Sequence, residues 1–183
     1  MSEEVKRIGR DLAYEGTVIK VYKDHRKFAN GNTAEWDFIH PDGEAAVVPV
    51  MDDGKILMVT QYRNALERDT LEIPAGKLDA PGEPGIECAS RELEEETGYR
   101  SEDLEWLITL RTTVAFCDEK IDIYVAKNLI PSHQHLDEDE FLEARFFPFE
   151  EVVEKCLKGE IRDGKTVTAV LKARLLEEKA CTL

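Results

Sequence analysis

The chain has 183 residues with 39 acidic and 24 basic side chains, a net charge of −15. Apolar residues make up 42 %, enough for a packed core at this length and too many for a disordered acidic tail. No apolar run is long enough to span a bilayer, and so large an acid surplus argues against a broad nucleic-acid-binding face. The start, Met1-Ser2-Glu3-Glu4-Val5, is acidic and lacks the apolar core of a secretory signal. Cys88, Cys117, Cys156 and Cys181 form no CxxC pair. Free thiols in a reducing cytoplasm are therefore expected, with neither membrane nor nucleic acid as partner.

In chain order, residues 10–24 alternate in part and are rich in β-formers. Asn30-Gly31 reads as a turn, and 36–40 as a strand closed by Pro41-Asp42-Gly43. This predicts a small antiparallel sheet in residues 1–43, marginal by itself and in need of a packing partner. The main domain is expected to span residues 44–183. It begins with two strands, 45–50 and 55–62, separated by Asp52-Asp53-Gly54 and expected to pair as a buried hairpin. A helix follows at 83–97, with Pro84 near its start and Gly98 as its left-handed cap. Strands are predicted at 104–110, 120–126 and 141–147, and helices at 150–157 and 165–178. An acidic loop, Asp137-Glu138-Asp139-Glu140, precedes the last strand. Strands and helices mix without a regular βαβ repeat, which argues for α+β with a mixed sheet.

The helix at 83–97 concentrates charge. With Glu92 at the origin of a helical wheel, Glu96 lies about 40° to one side and Glu95 about 60° to the other. Ala89, Leu93 and Ile86 follow at roughly 60°, 100° and 120°. Three carboxylates thus border the apolar stripe that must face the core. They repel one another, more so near a helix C-terminus. Arg91 can offset part of this by pairing with Glu87 and Glu95. Two roles remain open: a solvated charged face, or a site for a hard divalent cation.

The flanking residues carry a resemblance. Gly76, Glu83, Arg91-Glu92-Leu93, Glu95-Glu96 and Gly98-Tyr99 resemble the Nudix box, the signature of hydrolases that split nucleoside diphosphates linked to another moiety. From Glu83 onward the match is complete; before it, six residues rather than five separate Gly76 from Glu83. Gln61-Tyr62-Arg63, Glu72-Ile73-Pro74-Ala75-Gly76, the front sheet and the C-terminal helix resemble the ADP-ribose pyrophosphatase branch. That branch typically carries Pro-Gly before residues like Phe116-Cys117-Asp118-Glu119, where this chain has Val114-Ala115.

The resemblance implies an α/β/α sandwich with a mixed sheet behind the small N-terminal antiparallel sheet. It implies Mg²⁺, with Mn²⁺ as the alternative, held by Glu92 and Glu96, by Glu95 as ligand or partner, and by the carbonyl of Ala75. Arg91 would orient these acids and Glu83 would brace the loop. Glu138 and Glu140 are the two candidates for the base that activates water. Arg63 is the candidate partner for a phosphate or terminal ribose, and Trp36 and Phe28 could stack on the nucleobase. The branch also implies a homodimer built through residues 1–43. The expected reaction is hydrolysis of ADP-ribose to AMP and ribose 5-phosphate. A GDP- or UDP-sugar substrate and a non-catalytic nucleotide sensor are the alternatives.

Overall fold

The computed structural model describes residues 4–17, 19–80, 82–136 and 141–180. They fall into two compact units, Met1–Gly43 with Arg111–Lys120, and Glu44–Leu110 with Ile121–Leu183.

The first unit holds β1 (Val5–Glu15), β2 (Lys20–Phe28) and β3 (Thr33–Ile39) as an antiparallel sheet in that order. Bulges between Arg7 and Gly9 and between Leu12 and Tyr14 bend β1. The β2–β3 turn closes where expected: the Gly31 N–H donates to the Phe28 carbonyl, and Gly31 has the positive φ of 89° that this turn needs. The Asp24 carboxylate is buried and accepts from Arg10 Nη2 at 3.0 Å and Arg26 Nη2 at 2.6 Å. Arg10 lowers the pKa of Asp24 first, and Arg26 adds to it against the effect of burial. Within the same unit the Ile39 N–H donates to the Phe116 carbonyl at 2.8 Å.

The second unit contains β4 (Glu44–Pro49), β5 (Lys55–Arg63), β6 (Arg68–Glu72), β7 (Ala75–Lys77) and α1 (Gly85–Thr97). These are followed by β8 (Tyr99–Arg100), β9 (Asp103–Arg111), β10 (Lys120–Lys127), β11 (Ile130–Pro131), β12 (Leu142–Pro148), α2 (Phe149–Leu157) and α3 (Gly164–Ala180). One sheet runs β7-β4-β10-β9 and is mixed, with β4 parallel to β10 and antiparallel to β7. A second, antiparallel sheet runs β12-β5-β6.

Why β4 is apolar from Ala45 to Pro49 follows from its position. Alternate residues point to opposite faces. Ala45 and Val47 pack with Cys88, Ala89 and Leu93 of α1. Ala46 and Val48 pack with Val152 of α2 and Val170 of α3. A strand covered by helices on both faces has no polar side to present. The expected helix–sheet–helix layering is thus realised around β4.

The expected hairpin of 45–50 with 55–62 is not formed. Beyond a single bridge, Val50 to Ile56, the two strands part into different sheets. Both edges of β4 are already taken, by β7 and β10, so β5 pairs with β12 and β6 instead. The helix also starts later than expected, at Gly85 rather than at 83. Pro84 is its cap, with extended backbone, and a residue before proline is disfavoured in the helical region. Its end is as expected: Gly98 has φ 71° and its N–H donates to the Glu94 carbonyl.

Candidate active site

Helix α1 packs on β4 through its apolar stripe, which draws the bordering acids inward. Glu96 is 2 % exposed and Glu92 is also buried. Their surroundings come from β7. The Ala75 N–H donates to Glu96 Oε2 at 3.1 Å. A Cβ on Gly76 would lie 2.0 Å from Glu92 Oε1, so only glycine lets the β7 backbone sit against that carboxylate. The structure therefore brings Ala75, Gly76, Glu92 and Glu96 together.

Arg91 ties the acids to the preceding loop. Its Nη1 donates to Glu92 Oε1 at 2.7 Å and to Glu95 Oε2 at 3.0 Å, and its Nη2 to the Lys77 carbonyl at 3.0 Å. Asp79 lies 3.1 Å and Glu83 3.6 Å from its Nε. Burial opposes the charge on Arg91, but Glu92 and Glu95 outweigh it and raise its pKa. The expected pairing with Glu95 is present; the expected pairing with Glu87 is replaced by Asp79 and Glu83, because the loop folds back over the helix. Glu83 itself accepts from the Asp79 N–H at 2.6 Å and so closes that loop, the bracing role expected of it. Cys88, beneath Arg91, donates to the Lys77 carbonyl, and burial pushes its thiol up to about 12, so it is no nucleophile.

A cavity of about 1120 Å³ opens beside this cluster, lined by Gly76, Arg91, Glu92 and Glu95 and by Arg63, Glu72 and Lys165. Arg63 does not stand alone in it. Its Nε and Nη2 grip Glu72 at 2.8 and 2.7 Å. Glu72 also accepts from Thr70 Oγ1 at 2.6 Å and from Lys165 Nζ at 2.5 Å. Burial would raise the Glu72 pKa, but Arg63, Lys165 and Thr70 together hold it down at about 2. Lys165 in turn lies 3.2 Å from Asp163, the residue that caps α3 by accepting from the Thr166 N–H. This network was not foreseen. The Asp163-Gly164-Lys165-Thr166 cap was its one sequence signal, and it names no partner 93 residues away.

The stretch 132–135 lies along the last turn of α1. Ser132 N–H donates to the Gly98 carbonyl, Gln134 Nε2 to the Glu96 carbonyl and His135 N–H to the Glu95 carbonyl. These donors satisfy carbonyls that a helix end leaves open. His135, assigned no role from sequence, lines the cavity. Glu138 and Glu140, the two candidate bases, lie outside the described residues. Phe28 and Trp36 belong to the first unit, ring to ring at 6.1 Å, with Trp36 about half exposed.

Among the described residues no three His, Cys, Asp or Glu side chains gather into a cage around one point. The donor chemistry nevertheless fits a hard cation. Two buried carboxylates, a third on the cavity wall and the Ala75–Gly76 backbone supply oxygen donors only. Mg²⁺ commonly takes one or two carboxylates and completes its shell with waters and substrate oxygens.

Residues 41–170 match the NUDIX domain. The chain is 40 % identical over 176 residues to the methanol dehydrogenase activator of Bacillus methanolicus, covering 95 % of each protein. It is 37 % identical over 178 residues to the ADP-ribose pyrophosphatase of Bacillus subtilis, covering 96 % of each. A crystal structure of an ADP compounds hydrolase superposes with a TM-score of 0.84 at 24 % identity, covering 97 % of this chain and 96 % of that one. With a Nudix box on α1, a matching domain over most of its length and this fold, the chain belongs to the Nudix family.

Proposed function

We propose that the chain hydrolyses the pyrophosphate of ADP-ribose, yielding AMP and ribose 5-phosphate, with Mg²⁺ as its ion. The observation that carries this reading is the carboxylate set of α1, with Glu92 and Glu95 held by Arg91, Glu96 against Ala75 and Glu92 against Gly76, beside a cavity that holds Arg63. The likeness to an ADP-ribose pyrophosphatase across 96 % of the chain supports the substrate.

In the reaction, a water oxygen forms a bond to one phosphorus and the bridging P–O bond breaks. The water's proton passes to a carboxylate, for which Glu138 and Glu140 are proposed, and the leaving phosphate keeps the electron pair. When bound, the divalent ion neutralises charge on the phosphoryl oxygens. Glu92, Glu96, Glu95 and the Ala75 carbonyl would hold the ion, and Arg91, bonded to Glu92 and Glu95, would keep those two carboxylates aimed as a positioning residue. Arg63 donates to a phosphate or the terminal ribose from the edge that Glu72 leaves free, while Trp36 and Phe28 stack on the base.

A panel of ADP-ribose, a GDP-sugar and a UDP-sugar tests this. ADP-ribose should turn over fastest, releasing AMP, in Mg²⁺ or Mn²⁺. Faster turnover of a GDP- or UDP-sugar would replace the substrate with that nucleotide sugar. No turnover of any member would overturn the enzyme reading in favour of a nucleotide sensor. The 40 % identity to a methanol dehydrogenase activator favours a second reading. It is checked by adding the chain to a methanol dehydrogenase and measuring the rate of alcohol oxidation.

Residues 1–43 are proposed as a dimer-forming subdomain and 44–183 as the hydrolase domain, working in the cytoplasm. Support comes from large apolar side chains left exposed in the first unit, Ile8, Leu12, Tyr14 and Trp36. Sedimentation equilibrium should give twice the 20.8 kDa chain mass; a monomer at micromolar concentration would refute the dimer.

A further inference from the structure

Arg63 reaches its partner along a strand ladder. In the β5–β6 register Arg68 stands opposite Arg63, Thr70 opposite Gln61 and Glu72 opposite Val59. Directly opposed residues share a face, and so do alternate residues of one strand, so Arg63, Thr70 and Glu72 lie on one side of the sheet. The Arg63 side chain runs along that side to grip Glu72 through Nε and Nη2. Among the described residues its Nη1 makes no bond, and the side chain lines the cavity. An arginine held at full reach gives up rotamer freedom, so the hold lasts only if the acceptor is itself fixed.

The acceptor is fixed from α3. Glu72 Oε1 accepts from Arg63 Nε and Thr70 Oγ1, and Oε2 from Arg63 Nη2 and Lys165 Nζ. These donors fill the roughly four lone-pair sites of a carboxylate. Lys165 alone among them lies outside the β5–β6 pair, and β6 is the edge strand of its sheet. The adjoining residue is tied to the same turn of α3, since the Ile73 N–H donates to Thr166 Oγ1 at 3.0 Å. Lys165 is 7 % exposed and its other carboxylate partner is Asp163, so its ammonium is committed within the protein.

We propose that Lys165 is a positioning residue for substrate binding: through Glu72 it fixes Arg63 by one edge of the guanidinium and leaves Nη1 for the substrate. Removing Lys165 leaves the Arg63–Glu72 pair in place but frees its acceptor to turn. The part Arg63 plays toward substrate rests on the proposed hydrolase activity; the hold of Lys165 on Arg63 does not.

The test compares Lys165→Met with Val170→Ala, which opens the core under the same helix without touching this network. Circular dichroism melts show that each variant is folded. The Arg63 Nε–H resonance, assigned by its loss in Arg63→Lys, should exchange with solvent at least tenfold faster in Lys165→Met and be unchanged in Val170→Ala. With Mg²⁺ and ADP-ribose, Lys165→Met should raise KM by about tenfold, as misplacement of a binding group does, with kcat nearly unchanged. In an Arg63→Lys background the same substitution should alter KM by less than about twofold, because the residue it acts through is gone. Unchanged exchange in Lys165→Met, or an equal increase in Val170→Ala, overturns the proposal. So does a full tenfold rise in KM in the Arg63→Lys background, or a loss confined to kcat. If the native chain hydrolyses no nucleotide sugar, the hydrolase reading falls and the exchange rates alone decide whether Lys165 holds Arg63.

Discussion

Glu96→Gln is expected to lower kcat by about a thousandfold, roughly 4 kcal/mol of barrier, while the protein stays folded. The substitution isolates one charge. Glu96 is 2 % exposed and accepts from the Ala75 N–H at 3.1 Å, and a glutamine carbonyl oxygen can accept that same bond. What disappears is a negative oxygen beside Ala75, where the divalent ion is proposed to sit. Mn²⁺ titration followed by electron paramagnetic resonance should show weaker binding in the variant without substrate present. Gly76→Ala should reach a similar defect from the other side, because its Cβ would fall 2.0 Å from Glu92 Oε1 and displace that carboxylate. Turnover within tenfold of the native rate in Glu96→Gln, with Mn²⁺ affinity unchanged, would remove Glu96 from the proposed ligand set.

The second large effect is on stability. Glu72→Ala is expected to destabilise the chain by about 3–5 kcal/mol, the usual range for removing one partner from a buried ion pair. Lys165 is 7 % exposed and would keep only Asp163 among its present partners. Lys165→Met should be milder, because Glu72 keeps Arg63 and Thr70. The pH dependence follows from the direction of the shift. Glu72 titrates at about 2 when folded against an ordinary 4.5, so its contribution is present above pH 4.5 and is lost as pH falls toward 2. The size of that contribution is about 3 kcal/mol. Thermal melts of the native chain and of Glu72→Gln should therefore differ most near neutral pH and converge as the pH approaches 2. A difference that stays constant from pH 7 to pH 2.5 would show that the ionised carboxylate is not what holds β6 to α3.

The elements most legible in the sequence are those whose cause is local. The acid stripe of α1 is one: Glu92, Glu95 and Glu96 are neighbours through helical geometry alone, and Gly98 ends the helix because its backbone takes a positive φ. The apolar run of β4 is another, although sequence could not say that both its faces are covered. Arg91 shows where local reasoning stops. Its bond to Glu95 is an i, i+4 pair that the wheel anticipates, whereas its contacts with Lys77, Asp79 and Glu83 depend on how the loop folds back. The hairpin of β4 with β5 failed for a related reason. A turn sequence says that a chain reverses, but which strand edge is free depends on β7 and β10, and β10 lies far along the chain.

By itself, then, the sequence determined the helix that bears the carboxylates, its cap, the family pattern and an α+β class, because each depends on side chains a few residues apart. Only the tertiary structure decided what those carboxylates face. Gly76 closing on Glu92, the Ala75 N–H on Glu96, and Lys165 buried against Glu72 are contacts between elements, and the last spans 93 residues. Such pairs exist because packing both faces of β4 forces α1, β6, β7 and α3 around one cavity, and no periodicity within a single element encodes that meeting.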